Sequence, residues 1–130
     1  MNTKELGDLG EKLACEYLVK NGYKILGRNY RINFGEIDII ARKKLKFFRK
    51  NDPIVHFVEV KTLRGQTSQF YPEEHVDYKK QNKYRGLVEL WLAKNKLSQD
   101  YPCQVDIAAV SINGINSEPK IEYFENVING

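Results

Sequence analysis

The sequence predicts an α/β fold: a mixed sheet flanked by helices, in the order helix, three strands, helix, then one or two strands. Three observations predict it. Near the N-terminus Leu6, Leu9, Leu13 and Tyr17 recur at three- and four-residue steps, with Ala14 and Leu18 widening the stripe, which is the period of an amphipathic helix. Three apolar runs follow at short intervals, "YKILGRNYRI", "EIDIIARK" and "IVHFVEVKT", the last rich in β-branched and aromatic residues. A second helical stripe, Val76, Leu87, Val88, Trp91 and Leu92, then precedes another apolar run, "QVDIAAVSI".

Taken in order, the first helix spans Thr3 to Asn21, stopped by Asn21-Gly22, because glycine readily takes the left-handed conformation of a helix end. Gly7 and Gly10 lie inside it, and each costs a helix about 1 kcal/mol relative to alanine. Either the helix starts late, with Asp8 and Glu11 as a capping-box-like beginning, or another part of the chain approaches its backbone closely. Strands follow at Tyr23 to Ile32, Glu36 to Lys43 and Ile54 to Thr62, separated by the turn Asn33-Phe34-Gly35 and by a loop closed at Asn51-Asp52-Pro53. A polar loop, "LRGQTSQFYP", leads to a helix from Glu73 to Asn95 and a strand from Gln104 to Ile112. After a turn region, "IEYFEN" reads as a last edge strand. Short connections make the first three strands an antiparallel meander, and the helix before the fourth allows a parallel crossover.

A chain of 130 residues suffices for one domain with a single core. No apolar run approaches the roughly 20 residues of a membrane helix, and the N-terminus has no continuous apolar segment of a secretory signal. Cys15 and Cys103 stand far apart in sequence, so buried, reduced thiols in a cytoplasmic protein are the reading, rather than zinc or a disulfide framework. Lys and Arg number 21 against 17 Asp and Glu, a net charge of +4. That mild excess permits a polyanionic partner without demanding one. Much of it gathers in "RKKLKFFRK" and "KKQNKYR".

Asp38, Glu59 and Lys61 stand inside runs that otherwise read as buried strands. Glu59 and Lys61, two apart, share a strand face with Val55 and Phe57, and Asp38 belongs to the neighbouring strand. With the right register the three converge. Burying a carboxylate costs several kcal/mol (about that order) unless it is paired or binds a cation. Two accounts follow. The acids hold a hard divalent cation, which takes carboxylate oxygens. Alternatively they form structural ion pairs, Glu59 with Lys61 and Asp38 with a turn or Arg42.

These segments resemble a known family. "GEIDIIA" followed by "FVEVKT" resembles the D…ExK signature of the PD-(D/E)xK, or restriction-endonuclease-like, nuclease superfamily. With "LGEKLACEYLVKNGYKILGRNYR", "KKQNKY" and "VDIAAV" in the same order, the chain resembles the bacterial YraN-like family of predicted endonucleases. Motif order and length are also similar to archaeal Holliday junction resolvases. The resemblance implies a restriction-endonuclease-like α-β-β-β-α-β core in a protein of the bacterial cytoplasm. It implies a metal-dependent endonuclease acting on DNA, including branched or junction DNA in repair or recombination. The cofactor would be Mg²⁺ or Mn²⁺. The motif aspartate matches Asp38 and the ExK acid matches Glu59, both metal ligands. The ExK lysine, Lys61, would position the attacking water or stabilise the transition state. The first-helix glutamate, Glu11, would help hold the metal, and Gln81 resembles a second-helix glutamine. Ile37 stands where the superfamily often has proline, and the loop before the ExK strand is longer than the family's usual turn. Because the superfamily includes inactive members, a non-catalytic nucleic-acid-binding module is the alternative.

Glu36 shares a face with Asp38, either as a further ligand or simply solvating the strand start. His56, on the opposite face from Glu59, reads as a satisfied buried histidine. Lys79, Lys80, Lys83 and Arg85, with Tyr78 and Tyr84 interleaved, are candidate phosphate contacts, as are Arg28, Arg31 and, in the polar loop, Arg64, Gln66 and Ser68. DNA is favoured over RNA, and a homodimer would suit a four-way junction.

Overall fold

Helix α1 spans Thr3–Lys20 and starts where a side chain stops it from unravelling: the Asn2 carboxamide oxygen accepts the Glu5 N–H at 2.8 Å. The computed structural model describes residues 1–44, 54–65, 71–113 and 118–128. The helix therefore begins at Thr3, well before Asp8, and the second account of its glycines holds for Gly10. A Cβ built there would lie 1.9 Å from Thr62 Oγ1, so α1 rests directly on a strand. Gly22, at φ +88°, turns the chain out of the helix as its sequence suggested.

Strands β1 (Tyr23–Ile32), β2 (Gly35–Lys43), β3 (Val55–Arg64), β4 (Cys103–Ile112) and β5 (Lys120–Phe124) form a sheet in the order β1-β2-β3-β4-β5. The β1–β2, β2–β3 and β4–β5 pairs are antiparallel and β3–β4 is parallel, the meander and crossover expected. The crossover carries α2 (Tyr78–Lys94). This helix starts later than Glu73. Pro72–Glu74 forms a separate 3₁₀ turn, and Asp77 then caps α2 by accepting the Lys80 N–H at 2.8 Å. Val76 accordingly packs in the core from just outside the helix. Most of the loop 44–53, Gln66, Ser68 and most of the turn after β4 lie outside the described residues.

The alternation of side chains divides the core in two. Ile37, Ile40, Val55, Phe57, Val105 and Ile107 pack against Leu87, Trp91 and Leu92 of α2. Ile39, Ala41, Val58, Ala108 and Val110 pack against Ala14, Cys15 and Leu18 of α1. The sheet is thus sandwiched, with α2 on the face of Glu59 and α1 on the other. Among the described residues no helix is long and apolar enough to cross a membrane.

One interruption positions everything that follows. The β2–β3 rungs run from Arg42↔Val55 to Ile39↔Val58, and among the described residues they stop there. β3 stays paired to β4 as far as Arg64↔Ile112, while β2 stays paired to β1 as far as Gly35↔Ile32. The sheet forks. Asp38 and Glu59 are the first residues past the last closed rung, on either side of the opening.

Candidate metal centre at the fork

A fork leaves ladder groups without partners, and Asp38 answers one of them. Its Oδ2 accepts the Val60 N–H at 2.8 Å, replacing the rung that β2 no longer supplies. Opposite, Glu59 is 9% exposed. Its Oε1 lies 3.4 Å from Lys61 Nζ, and 3.2 Å from Lys80 Nζ, which arrives from α2. Its Oε2 is buried and has no hydrogen-bond partner. The buried Tyr84 hydroxyl is held neutral far above its ordinary pKa, by burial first and then by the charges of Glu59 and Asp38.

Because the fork is open, α1 contributes from the other face. Carboxylate oxygens of Glu11, Glu36 and Asp38 all lie within 4.8 Å of one another. Burial pushes the Asp38 carboxyl above its ordinary value, the charges of Glu59 and Glu36 push further, and the Val60 N–H and Lys61 only partly oppose them. Glu11 is also raised, by burial and then by Asp38 and Glu36. Asn29 stands opposite Asp38 between the rungs Arg28↔Ile39 and Tyr30↔Ile37, at φ +50°, a left-handed conformation asparagine tolerates. With its amide oriented to donate, it reaches Glu11 Oε2 at 3.0 Å and Glu36 Oε1 at 2.9 Å. Oxygen donors, two acids whose pKa values are raised by burial and by neighbouring carboxylates, and an orphaned buried carboxylate oxygen together fit a hard divalent cation.

Asp38 and Glu11 therefore come together with Glu36, which also pairs with Arg31 at 3.4 Å, while Glu59 and Lys61 form a pair across the opening whose charges are felt by Asp38. The other expected residues disperse. Lys80 sits in the centre as well as beside it. Lys79, Lys80 and Lys83 line one cavity with His75, while Arg85 lines another, with Val88, Leu92 and Cys103. Gln81 donates to the Val76 carbonyl at 3.3 Å, tying down the entry to α2, and Arg64 donates to the Met1 carbonyl at 2.8 Å. Arg28 is exposed near Glu11. Cys15 and Cys103 are free thiols.

His56 is buried on the α1 face, as its neighbours suggested, and its Nδ1 lies 2.7 Å from Asp106 Oδ2. The fully buried Asp106 also accepts from the Tyr123 hydroxyl, the Asn126 N–H at 2.8 Å and Gln104 Nε2 at 2.9 Å. Burial alone would raise its carboxyl, but these donors outweigh it and hold the pKa below the ordinary value. His56, Asp106 and Glu125 have ligand atoms as close together as the acids of the fork. With donors on both oxygens, however, Asp106 has no lone pair left for a cation. Asn29, Lys80 as a partner of Glu59, and the Asp106 node were missed from sequence. Asp106 carried the same signal as Asp38, an acid inside an apolar run, and Asn29 was a poor strand former within β1.

The fold and the fork define an α/β protein whose sheet holds a carboxylate–lysine centre between two helices. Residues 10–110 match the family described as "Uncharacterised protein family UPF0102", and the chain belongs to that family. It is 40% identical over 127 residues to a UPF0102 protein of Caldicellulosiruptor bescii, covering 97% of this chain and 98% of the relative. A UPF0102 protein of Clostridioides difficile is 44% identical over 110 residues, 85% of this chain and 88% of the relative. One from Dictyoglomus turgidum is 38% identical over 126 residues, 97% and 98% of the two chains.

Proposed function

We propose that this protein is a Mg²⁺- or Mn²⁺-dependent endonuclease that hydrolyses phosphodiester bonds in DNA. The observation that carries the reading is the convergence at the fork. Acids from α1, β2 and β3 approach the opening there, Glu11 and Asp38 with pKa values raised by burial and by neighbouring carboxylates, beside an ammonium two residues along from Glu59. Asp38 with Glu11 and Glu36, and Glu59 across the opening, would hold the cation. When bound, such an ion polarises a phosphoryl oxygen and makes a nearby water more acidic. Lys61 stands on the strand face of Glu59, where it donates to the attacking water or to the charge that grows on a phosphate oxygen. Burial, and next the neighbouring Lys80, lower its pKa. Lys79 and Lys83, exposed beside the centre, supply the sequence-independent attraction for a phosphate backbone.

The test is cleavage of labelled linear, flapped, single-stranded and four-way-junction DNA. Mn²⁺, Mg²⁺ and EDTA are compared, with Asp38→Asn as the control. Metal-dependent product from wild type alone supports the reading and names the substrate class. Equal cleavage by Asp38→Asn removes this mechanism. Salt-sensitive binding with no product on any substrate would instead make the chain a non-catalytic nucleic-acid-binding module.

A further inference from the structure

Two ammoniums share a single oxygen of Glu59. Lys61 Nζ, at 3.4 Å, and Lys80 Nζ, at 3.2 Å, both lie on Oε1, while Oε2 is left bare. The two lysines are not equivalent. Lys61 is on the same strand face as Glu59, two residues along the same strand. Lys80 reaches in from α2, and its stem also forms the wall of a cavity of about 530 Å³ shared with Glu74, His75, Asp77, Lys79 and Lys83. Its side chain is 35% exposed, against 30% for Lys61 and 11% for Glu59, so what distinguishes the two lysines is the element each comes from and the cavity beside Lys80, not exposure. Two further lysines, Lys79 and Lys83, line that cavity together with Glu74 and Asp77, so a phosphate held there would sit against its lysines.

Resting on the metal-dependent reading above, we infer that Lys80 is an exchangeable counter-ion. It neutralises Glu59 while the centre is empty of metal, and moves to a backbone phosphate in the adjoining cavity when a divalent cation takes Glu59. The physical reason is like-charge repulsion. A dication held by Glu59 would share that carboxylate with two ammoniums lying 3.4 Å and 3.2 Å from its Oε1, where like charges repel strongly and are poorly screened. The movable lysine is the one that yields. By linkage, metal and nucleic acid then tighten each other's binding.

The experiment measures Mn²⁺ affinity without nucleic acid, by titration calorimetry, for wild type, Lys80→Met, Lys80→Gln and Lys79→Met. The two Lys80 variants remove the competitor for Glu59 and should bind Mn²⁺ about threefold or more tightly, from the size of a partly exposed ion pair. Lys79→Met removes the same charge from the same cavity and should change Mn²⁺ affinity less. In a fluorescence anisotropy titration with a labelled single-stranded oligonucleotide, Lys80→Met should cost little affinity in EDTA and more in Ca²⁺. Lys79→Met should cost the same factor in both. Unchanged Mn²⁺ affinity in both Lys80 variants, or an equal oligonucleotide loss in EDTA and Ca²⁺, overturns the exchange. If wild type cleaves DNA while either result is found, the exchange fails and the nuclease reading stands. If Lys80→Met binds Mn²⁺ more tightly and wild type cleaves nothing, the exchange stands and the nuclease reading fails.

Discussion

The sheet buries two acidic nodes, and they are built on opposite principles. At Asp106 four donors meet one carboxylate, both oxygens are engaged, and the pKa is held down. At the fork, Glu11, Glu36 and Asp38 crowd together, two of them with raised pKa values, and a Glu59 oxygen has no partner. Both nodes gather acids at comparable spacing, so proximity alone does not mark a metal centre. The unmet demand for positive charge does. At the first node both Asp106 oxygens are met, although His56 Nε2 has no partner, and the node acts as a rivet joining β3, β4 and β5. The second, on the function proposed above, would be completed by a divalent cation.

Removing the rivet should do the most damage. Asp106→Ala leaves the His56, Tyr123 and Gln104 donors buried without an acceptor and should cost about 3–5 kcal/mol, read as a lower urea midpoint. If the loss is under about 1 kcal/mol, the comparison breaks, because Asp106 would then be no better satisfied than the acids of the fork. Mn²⁺ should act in the other direction and only at the fork. At a hundredfold excess over its dissociation constant it should stabilise wild type by about 2.7 kcal/mol, and Asp38→Asn by much less. A metal-induced rise in Tm that survives in Asp38→Asn would place the cation elsewhere.

Gly10→Ala sharpens the contrast at intermediate size. The added methyl meets Thr62 at 1.9 Å and must lift α1 or turn the threonine, a cost of about 1–3 kcal/mol in chemical denaturation. Lifting α1 also withdraws Glu11, so Mn²⁺ affinity should fall in this variant although no ligand has been changed.

The smallest effect is the most discriminating, because its sign differs between the nodes. Asp38 has a raised folded-state pKa, so its ionisation costs stability as pH climbs from the ordinary value of 3.8 through the raised one. Asp106 is depressed, so its contribution is present above 3.8 and is lost as pH falls through its folded-state value. Asp38→Asn keeps an acceptor for the Val60 N–H. At neutral pH without metal it should be as stable as wild type or more so, by at most about 1 kcal/mol, a gap that closes on acidification. Tm against pH for the two proteins measures it.

Much of the frame was legible from local signals. Period-2 and period-3.6 patterns located the strands and both helices, and short connections implied the meander, because each reports which face of an element is buried. The start of α2 was misread because Val76 continues the apolar stripe although the Asp77 side chain sets the cap. The start of α1 at Thr3 was read correctly, and the alternative of a late start at Asp8 and Glu11 falls because Asn2 caps the helix. At the centre, the alternation of Glu59 and Lys61 placed them on one face, and the hairpin brought Asp38 near. The fork itself had no sequence signal. It depends on β2 and β3 parting after Ile39↔Val58 while each keeps its outer partner, a property of the whole sheet. Lys80 and Asn29 are visible as participants only once that opening is known.

The parallel pairing of β3 with β4 has a further consequence, in the order of synthesis. Residues 11, 36, 38, 59, 61 and 80 are all made before Cys103–Ile112, the strand that supplies ten rungs to the inner side of β3. Such long-range pairing forms late because a large loop must close first. A growing chain therefore carries every charged group of the centre before the strand that holds β3 in place. The centre arises in one step on completion of the sheet, and a fragment ending at α2 would contain all its residues without assembling them.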